Sequence, residues 1–384
     1  MKAEPIPVFD VQLEASDVDA VGETLRSGWL TMGPRTQAFE GEFAEHLGVR
    51  HAVALSSCTA ALHLSYLAAG VGPGDEVIVP GITFVATAAA ARYVGARPVL
   101  AEILGPHDLG LDPADVARRI GPATKAVCAV HYAGYAAALG ELRELCAEHG
   151  LALIEDSAHA PAGTLPGSEQ KLGTVGLAGA FSFFSNKILS CGEGGLLATE
   201  DDDVAALARS RRSHAMTTGT WDRHRGHAMG YDVVDVGFNY RMDEPRAALL
   251  SARLPRLAQD IAQRRRLTMR YRELLGEVPG ISVPYSDEQV AASACYVMAV
   301  MLDTPELRDP LRGLLAERHG VQTTVLYPSI SEFTAYADLV PEPLPRCEHA
   351  ARAQLTLPLY PHLGEERLLR VVDALRESLR ELGR

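Results

Sequence analysis

"TKAVCAVHYAGYAAALGELRELCAEHGLALIEDSAHA", Thr124 to Ala160, decides the fold. It opens on one short apolar run, "TKAVCAVHY", and closes on another, "LALIED", with the helical segment "GELRELCAEHG" between them. Both runs are continuously apolar, the mark of strands covered on both faces. Gly150 stands just past the helix end, where a left-handed stop is expected. Strands of this kind joined through a helix lie parallel in one sheet.

Outward from this unit the alternation continues over residues 50–200. "HAVAL", "DEVIVP", "ARPVLAEI" and "GAFSFF" read as strands, and "SCTAALHLSYLAAG", "ATAAAARYVG" and "DPADVARRI" as helices. Asp112-Pro113 supplies an N-cap and a proline at the first helical position. Residues 251–275 read as one long Arg-rich helix with Leu257, Ile261, Tyr271 and Leu274 on its apolar side. Beyond it the pattern restarts: strand "CYVMAVML", helix "DPLRGLLAERHG", strand "VQTTVLY" and a last helix from about Glu365. The expectation is an α/β chain in two parts. An N-terminal segment and a large domain span 1–255, and a smaller C-terminal α/β domain spans 256–384.

Composition narrows the function. At 384 residues and 47% hydrophobic, the chain can bury a large core. A formal charge of -13 argues against a nucleic-acid or anionic-membrane surface. The six cysteines are scattered with no C-x-x-C pair, which fits reduced thiols and gives no metal signature. The first twenty residues are acidic without an apolar core, so no signal peptide is read, and "GITFVATAAAA" is too short to span a bilayer. A cytoplasmic protein is expected.

Ligands of open α/β sheets bind at the carboxyl ends of the strands. After "HAVAL" come Ser56, Ser57, Cys58 and Thr59, opening a helix: a phosphate cradle or a plain N-cap. After "LALI" come Glu155, Asp156 and His159: a carboxylate that needs a cationic partner, or a turn-forming Asp with a core histidine. After "GAFSFF" comes Lys187, then "CGEGG". Of the 36 Lys and Arg residues only Lys2, Lys125, Lys171 and Lys187 are lysines. Burial disfavours an ammonium and frees its amine as a nucleophile, which an arginine cannot become. Lysine, strand-end aspartate and phosphate cradle together point to pyridoxal phosphate, the lysine forming the Schiff base and the aspartate holding the ring nitrogen protonated. No G-x-G-x-x-G opens a helix after a strand, which argues against a nicotinamide dehydrogenase.

Over nearly its whole length the chain resembles the DegT/StrS-type sugar aminotransferases. The likeness is carried by "GWLTMGP", "SSCTAALHL", "GPGDEVIVPGITFVATA", "VHYAGY", "EDSAHA", "FSFFSNK", "GEGG", "TWDRHRGHA" and "GFNYRMDE". The resemblance implies fold type I of the pyridoxal-phosphate-dependent transferases, with a mostly parallel seven-stranded sheet. It implies Lys187 as the Schiff-base lysine, Asp156 as the pyridinium partner and His159 beside the ring oxygen. It further implies Phe84 stacked on the ring, and Cys58, Thr59 and Ser182 on the phosphate. Asn239 is implied to reach the phosphate of a second subunit, hence a homodimer with shared sites.

The implied reaction moves an amino group from glutamate or glutamine to a nucleotide-linked keto-sugar, or to a keto-cyclitol. Trp221, Arg223, His224, Arg225 and Tyr327 are candidate acceptor contacts; the "WDRHRGH" cluster suits a diphosphate, or is a solvated loop. Relatives that dehydrate sugars carry His in place of the lysine, so Lys187 argues against that chemistry, and the full residue set argues against a regulatory cofactor binder. Departures from the family pattern are Cys58 where Gly is usual, Leu177 for Asp, Ile188 for Asn, and Leu326 and Ser331 for His. The last two lie near the expected substrate mouth and bear on the acceptor.

Overall fold

A computed structural model describes residues 4–219, 221, 226, 230–339 and 342–383. The twelve strands are β1 His51–Leu55, β2 Glu76–Pro80, β3 Arg97–Ala101, β4 Ile103–Gly105, β5 Asp108–Leu111, β6 Thr124–Val130, β7 Ala152–Asp156, β8 Ala178–Ser182, β9 Gly195–Thr199, β10 Ile281–Ser282, β11 Met298–Leu302 and β12 Gln354–Leu357. Seven form one sheet in the order β1-β9-β8-β7-β6-β2-β3. Its β2–β3, β2–β6, β6–β7 and β7–β8 pairs are parallel, while β9 runs antiparallel to β1 and β8. The sheet is therefore mostly parallel, as the strand–helix alternation requires. β10-β11-β12 make a second, antiparallel sheet, and β4–β5 a hairpin.

Local signals place the helices. Asp112 caps Pro113–Arg119, its Oδ1 accepting from the Ala114 amide at 2.9 Å. Gly150 ends Leu139–His149 with φ 66°, a conformation costly for any residue with a Cβ. One expectation fails at Pro255. The single helix over 251–275 is instead Glu244–Arg253, a 3-10 turn Leu254–Arg256, and Leu257–Leu275. Proline lacks the N–H needed inside a helix and clashes with the preceding turn. The expected strand "VQTTVLY" is also absent: Val321 and Thr324 make only isolated bridges, to Ile6 and Thr356. Those bridges show how the ends of the chain are tied, since Ile6 donates to Gly320 O at 2.8 Å and accepts from Gln322 N at 2.9 Å. We keep the boundary at 255/256 as a proposal for two units.

The core explains the aromatic run at 181–184. Successive strand residues face opposite ways. Phe181 and Phe183 are fully buried against Phe43, each with ring centroids 5.4 Å away and near-perpendicular planes. Edge-to-face contact of this kind adds to the area term. Ser182 and Phe184 take the other face. No helix among the described residues is long and apolar enough to cross a membrane.

Candidate active site

Strand register assembles the site. Val130 pairs with Asp156 and Asp156 with Ala180, so the carboxyl ends of β6, β7 and β8 lie in line. A cavity of about 570 Å³ opens there. It is lined by Cys58, Thr59, Phe84, Asp156, His159, Ser182, Lys187 and Tyr327, among others.

β7 ends on two carboxylates that face apart. Glu155 points away from the cavity and accepts from His131 Nε2 at 3.0 Å and from the amides of Gly173, Val175 and Gly176 at 2.8, 2.7 and 2.7 Å. Burial pushes its carboxyl up, but the His131 contact and the amides outweigh it and hold it below the usual range. Asp156 faces the cavity. Its Oδ2 accepts from Thr87 Oγ1 at 2.7 Å and its Oδ1 from the Ala158 amide at 3.2 Å. Burial raises the Asp156 carboxyl, with Thr87 pulling against it. A cation placed opposite would be held strongly.

At the far end of the cavity the helix Cys58–Ala68 begins. Ser57 caps it, accepting from Ala60 N at 3.1 Å. The amides of Cys58 and Thr59 precede the first intrahelical bond, at the positive end of the helix dipole. Burial pushes the Cys58 thiol well up, so it stays neutral. β9 backs this loop at Gly195, where a Cβ would sit 2.1 Å from the Ser57 carbonyl carbon and 2.3 Å from Cys58 N. Only glycine permits that approach. Ser182 pairs with Gly195 across β8 and β9, which sets Ser182 at the same cradle.

Lys187 sits in a turn, its amide donating to Phe184 O at 2.8 Å. Its Nζ lies 4.4 Å from the centroid of the Tyr296 ring. Burial brings the amine down from 10.5 to about 8, with Cys58 and Asp156 opposing. His159 stacks on Tyr296, centroids 4.4 Å apart at 22°. Its Nδ1 accepts from the Ala133 amide at 3.3 Å, so Nε2 carries the hydrogen toward Tyr327 Oη, 3.0 Å away. Burial first, then Lys187, keep this imidazole neutral. Phe84 is 54% exposed, its ring centroid 5.6 Å from that of Tyr327, and offers a face to a planar ligand.

Two other candidates, Trp221 and Asn239, are not among the residues that line this cavity. Trp221 packs against Trp29, centroids 4.6 Å apart. Asn239 is exposed and bridges Ser213. Arg223, His224 and Arg225 lie outside the described residues. Two contacts of the site escaped the sequence, Thr87 behind Asp156 and Tyr296 on the cavity wall. Thr87 had a usable signal, one helical turn past Phe84 in "ITFVATA". Tyr296 had none, because only tertiary folding carries it to Lys187. No group of His, Cys, Asp or Glu among the described residues is placed to hold a metal ion.

The residues fit a planar phosphorylated pyridine aldehyde. Lys187 would meet its carbonyl carbon, Asp156 its ring nitrogen, Phe84 its face, and the Ser57–Thr59 turn with Ser182 its phosphate. A family model, the DegT/DnrJ/EryC1/StrS aminotransferase family, matches residues 11–376. The dTDP-4-dehydro-2,3,6-trideoxy-D-glucose 4-aminotransferase of Saccharopolyspora spinosa is 38% identical over 373 residues, 96% of this chain and 95% of that protein. The aminotransferase TlmJ from Streptoalloteichus hindustanus is similar in structure with a TM-score of 0.90 and 37% identity, over 99% of this chain and 100% of the other. DesV of S. venezuelae, solved in complex with a ketimine intermediate, gives 0.89 and 35% over 98% of each chain.

Proposed function

The chain belongs to the DegT/DnrJ/EryC1/StrS aminotransferase family, and from that premise we propose that it is a pyridoxal-phosphate-dependent aminotransferase that aminates a nucleotide-linked keto-sugar in amino-sugar biosynthesis. The observation that carries it is the meeting of Lys187, Asp156 and the Cys58–Thr59 amides in one cavity. Bound there, pyridoxal phosphate supplies a carbonyl carbon that takes up nitrogen and a ring that spreads the charge left at the substrate carbon.

The chain's residues supply the rest. Lys187 Nζ attacks as the neutral amine, which its lowered pKa of about 8 favours. With the amino donor bound, the free Lys187 Nζ would take a proton from the donor's α-carbon and return it across the site. Asp156, oriented by Thr87, would hold the ring nitrogen of the cofactor protonated, and Phe84 would cover the ring face. Tyr327 Oη accepts from His159 and so keeps its own hydrogen for a ligand oxygen. The apolar flank, Leu326 and Phe333 beside Phe184, excludes water from the reacting carbon.

Asn239, exposed and outside its own chain's cavity, is proposed to reach the cavity of a second copy in a homodimer. Sedimentation should show a dimer, and mixing Asn239→Ala with Lys187→Ala protein should restore a share of native sites. A cytoplasmic location and the acceptor roles of Trp221, Arg223, His224 and Arg225 are proposed with it. The decisive test loads the protein with aminated cofactor and offers nucleotide keto-sugars and keto-cyclitols in parallel. Return of the lysine-bound cofactor's absorbance band with a nucleotide keto-sugar is the expected result; return only with a cyclitol would move the assignment there.

A further inference from the structure

Lys187 faces two cavities. Besides the one described, a recess of about 420 Å³ shares Phe9, Asn186 and Lys187 with it and runs toward the helix Leu257–Leu275. Its walls are strongly polar, in contrast to the apolar flank around Leu326. An aminotransferase must admit two chemically different partners to one amine. The polar recess matches the smaller and more polar of them.

Most of the charge in the recess is already committed. Glu14 pairs with Arg256 at 3.3 Å and Asp10 with His362 at 2.9 Å. Arg264 donates to the Tyr296 and Leu359 carbonyls at 3.1 and 3.0 Å. Three groups are left over: Arg264, whose Nε is buried without a partner among the described residues, Arg253 and Asp260. Arg253 uses only Nη1, on Ser190 O and Oγ at 2.6 and 2.8 Å, so its Nε and Nη2 make no hydrogen bond among the described residues. Asp260, partly buried on the wall, makes none at all among the described residues. Burial pushes its carboxyl up, and Arg264, Arg253, Arg256 and His362 pull it back without touching it.

A partly buried carboxylate without a donor gains when a ligand supplies one. The free guanidinium edge of Arg253 suits an α-carboxylate. Asp260 then faces the side chain of the same amino acid. It accepts from a carboxamide NH₂ and repels a second carboxylate. Given the aminotransferase function proposed above, on which this rests, we propose that the recess receives the amino donor and that Asp260 selects glutamine over glutamate.

Two measurements on the same protein separate this from the function it rests on. Borohydride fixes the cofactor to Lys187, so amino-acid binding can be followed by calorimetry without turnover. Glutamine should bind this protein about tenfold or more tightly than glutamate, since like charges a few ångströms apart at the surface are worth at least that. Asp260→Asn should shrink the ratio to near one, chiefly by improving glutamate, with circular dichroism confirming that the variant is folded. Glutamate binding as well as glutamine, or a ratio unmoved in Asp260→Asn and Asp260→Ala, would overturn the assignment. In the unreduced protein, loss of the cofactor band on adding amino acid reports transamination. If neither amino acid bleaches the band while glutamine binding still depends on Asp260, the aminotransferase function falls and the carboxamide site stands.

Discussion

Capture of pyridoxal phosphate by Lys187 should accelerate about tenfold per pH unit up to pH near 8 and then level off. Only the neutral amine attacks a carbonyl, so the rate follows its fraction. Burial among the ends of β7 and β8 brings the amine from 10.5 to about 8. At pH 7 a pKa of about 8 leaves roughly 9% of the amine neutral, against roughly 0.03% at 10.5, a gain of about 300-fold. The sign follows from the cause: desolvation penalises the ammonium, so the lowered pKa enlarges the reactive fraction below pH 10.5 and changes nothing above it. Rapid mixing of cofactor-free protein with pyridoxal phosphate, read by absorbance from pH 6 to 10, gives the profile. N-acetyl-lysine amide under the same conditions corrects for the cofactor's own titration and should keep accelerating past pH 9. Lys187→Arg should give no band at any pH. A protein profile still climbing tenfold per unit at pH 9 would refute the argument, because it would mean that the cavity does not desolvate Lys187.

Thr87→Val deletes the 2.7 Å bond to Asp156, a bond to a charged group worth about 1.5–3 kcal/mol, so cofactor dissociation measured by dialysis should rise roughly ten- to hundredfold. Gly195→Ala forces a Cβ into the Ser57–Cys58 turn; affinity for pyridoxal phosphate should fall steeply while affinity for unphosphorylated pyridoxal barely changes. Glu155→Gln replaces one oxygen that accepts buried N–H groups with a donor, and urea unfolding should show a loss of about 2–4 kcal/mol without a change in the denaturant slope.

The sheet was legible because its strands are continuously apolar and its helices carry explicit stops, as at Asp112-Pro113 and Gly150. That Lys187 and Asp156 meet in one cavity was legible because strand ends are the functional edge of such a sheet. Pro255 was in plain view but was outweighed by the apolar spacing that follows it, at Leu257, Ile261, Tyr271 and Leu274. Residues 321–327 carried strand composition without a partner strand to pair with, and pairing is a tertiary fact. Tyr296 could not be found, because nothing local to "ACYVM" says that its ring meets an amine far along the chain. Trp221 and Asn239 show the limit from another side: one chain leaves them outside the cavity, and the sequence points to a second copy for Asn239.

The alternation at the end of β8 and through the two residues after it has a practical consequence for laboratory evolution. Phe181 and Phe183 belong to the interior and Ser182 and Phe184 to the cavity, so neighbouring codons answer to different selections. A library randomised at 184 explores ligand preference on an intact scaffold and one at 182 probes the phosphate cradle, whereas one at 181 and 183 mostly samples unfolding. Inserting or deleting a single residue upstream in the strand exchanges the two roles at once. Acceptor range in this protein should therefore be open to substitution along the strand and closed to changes in its length.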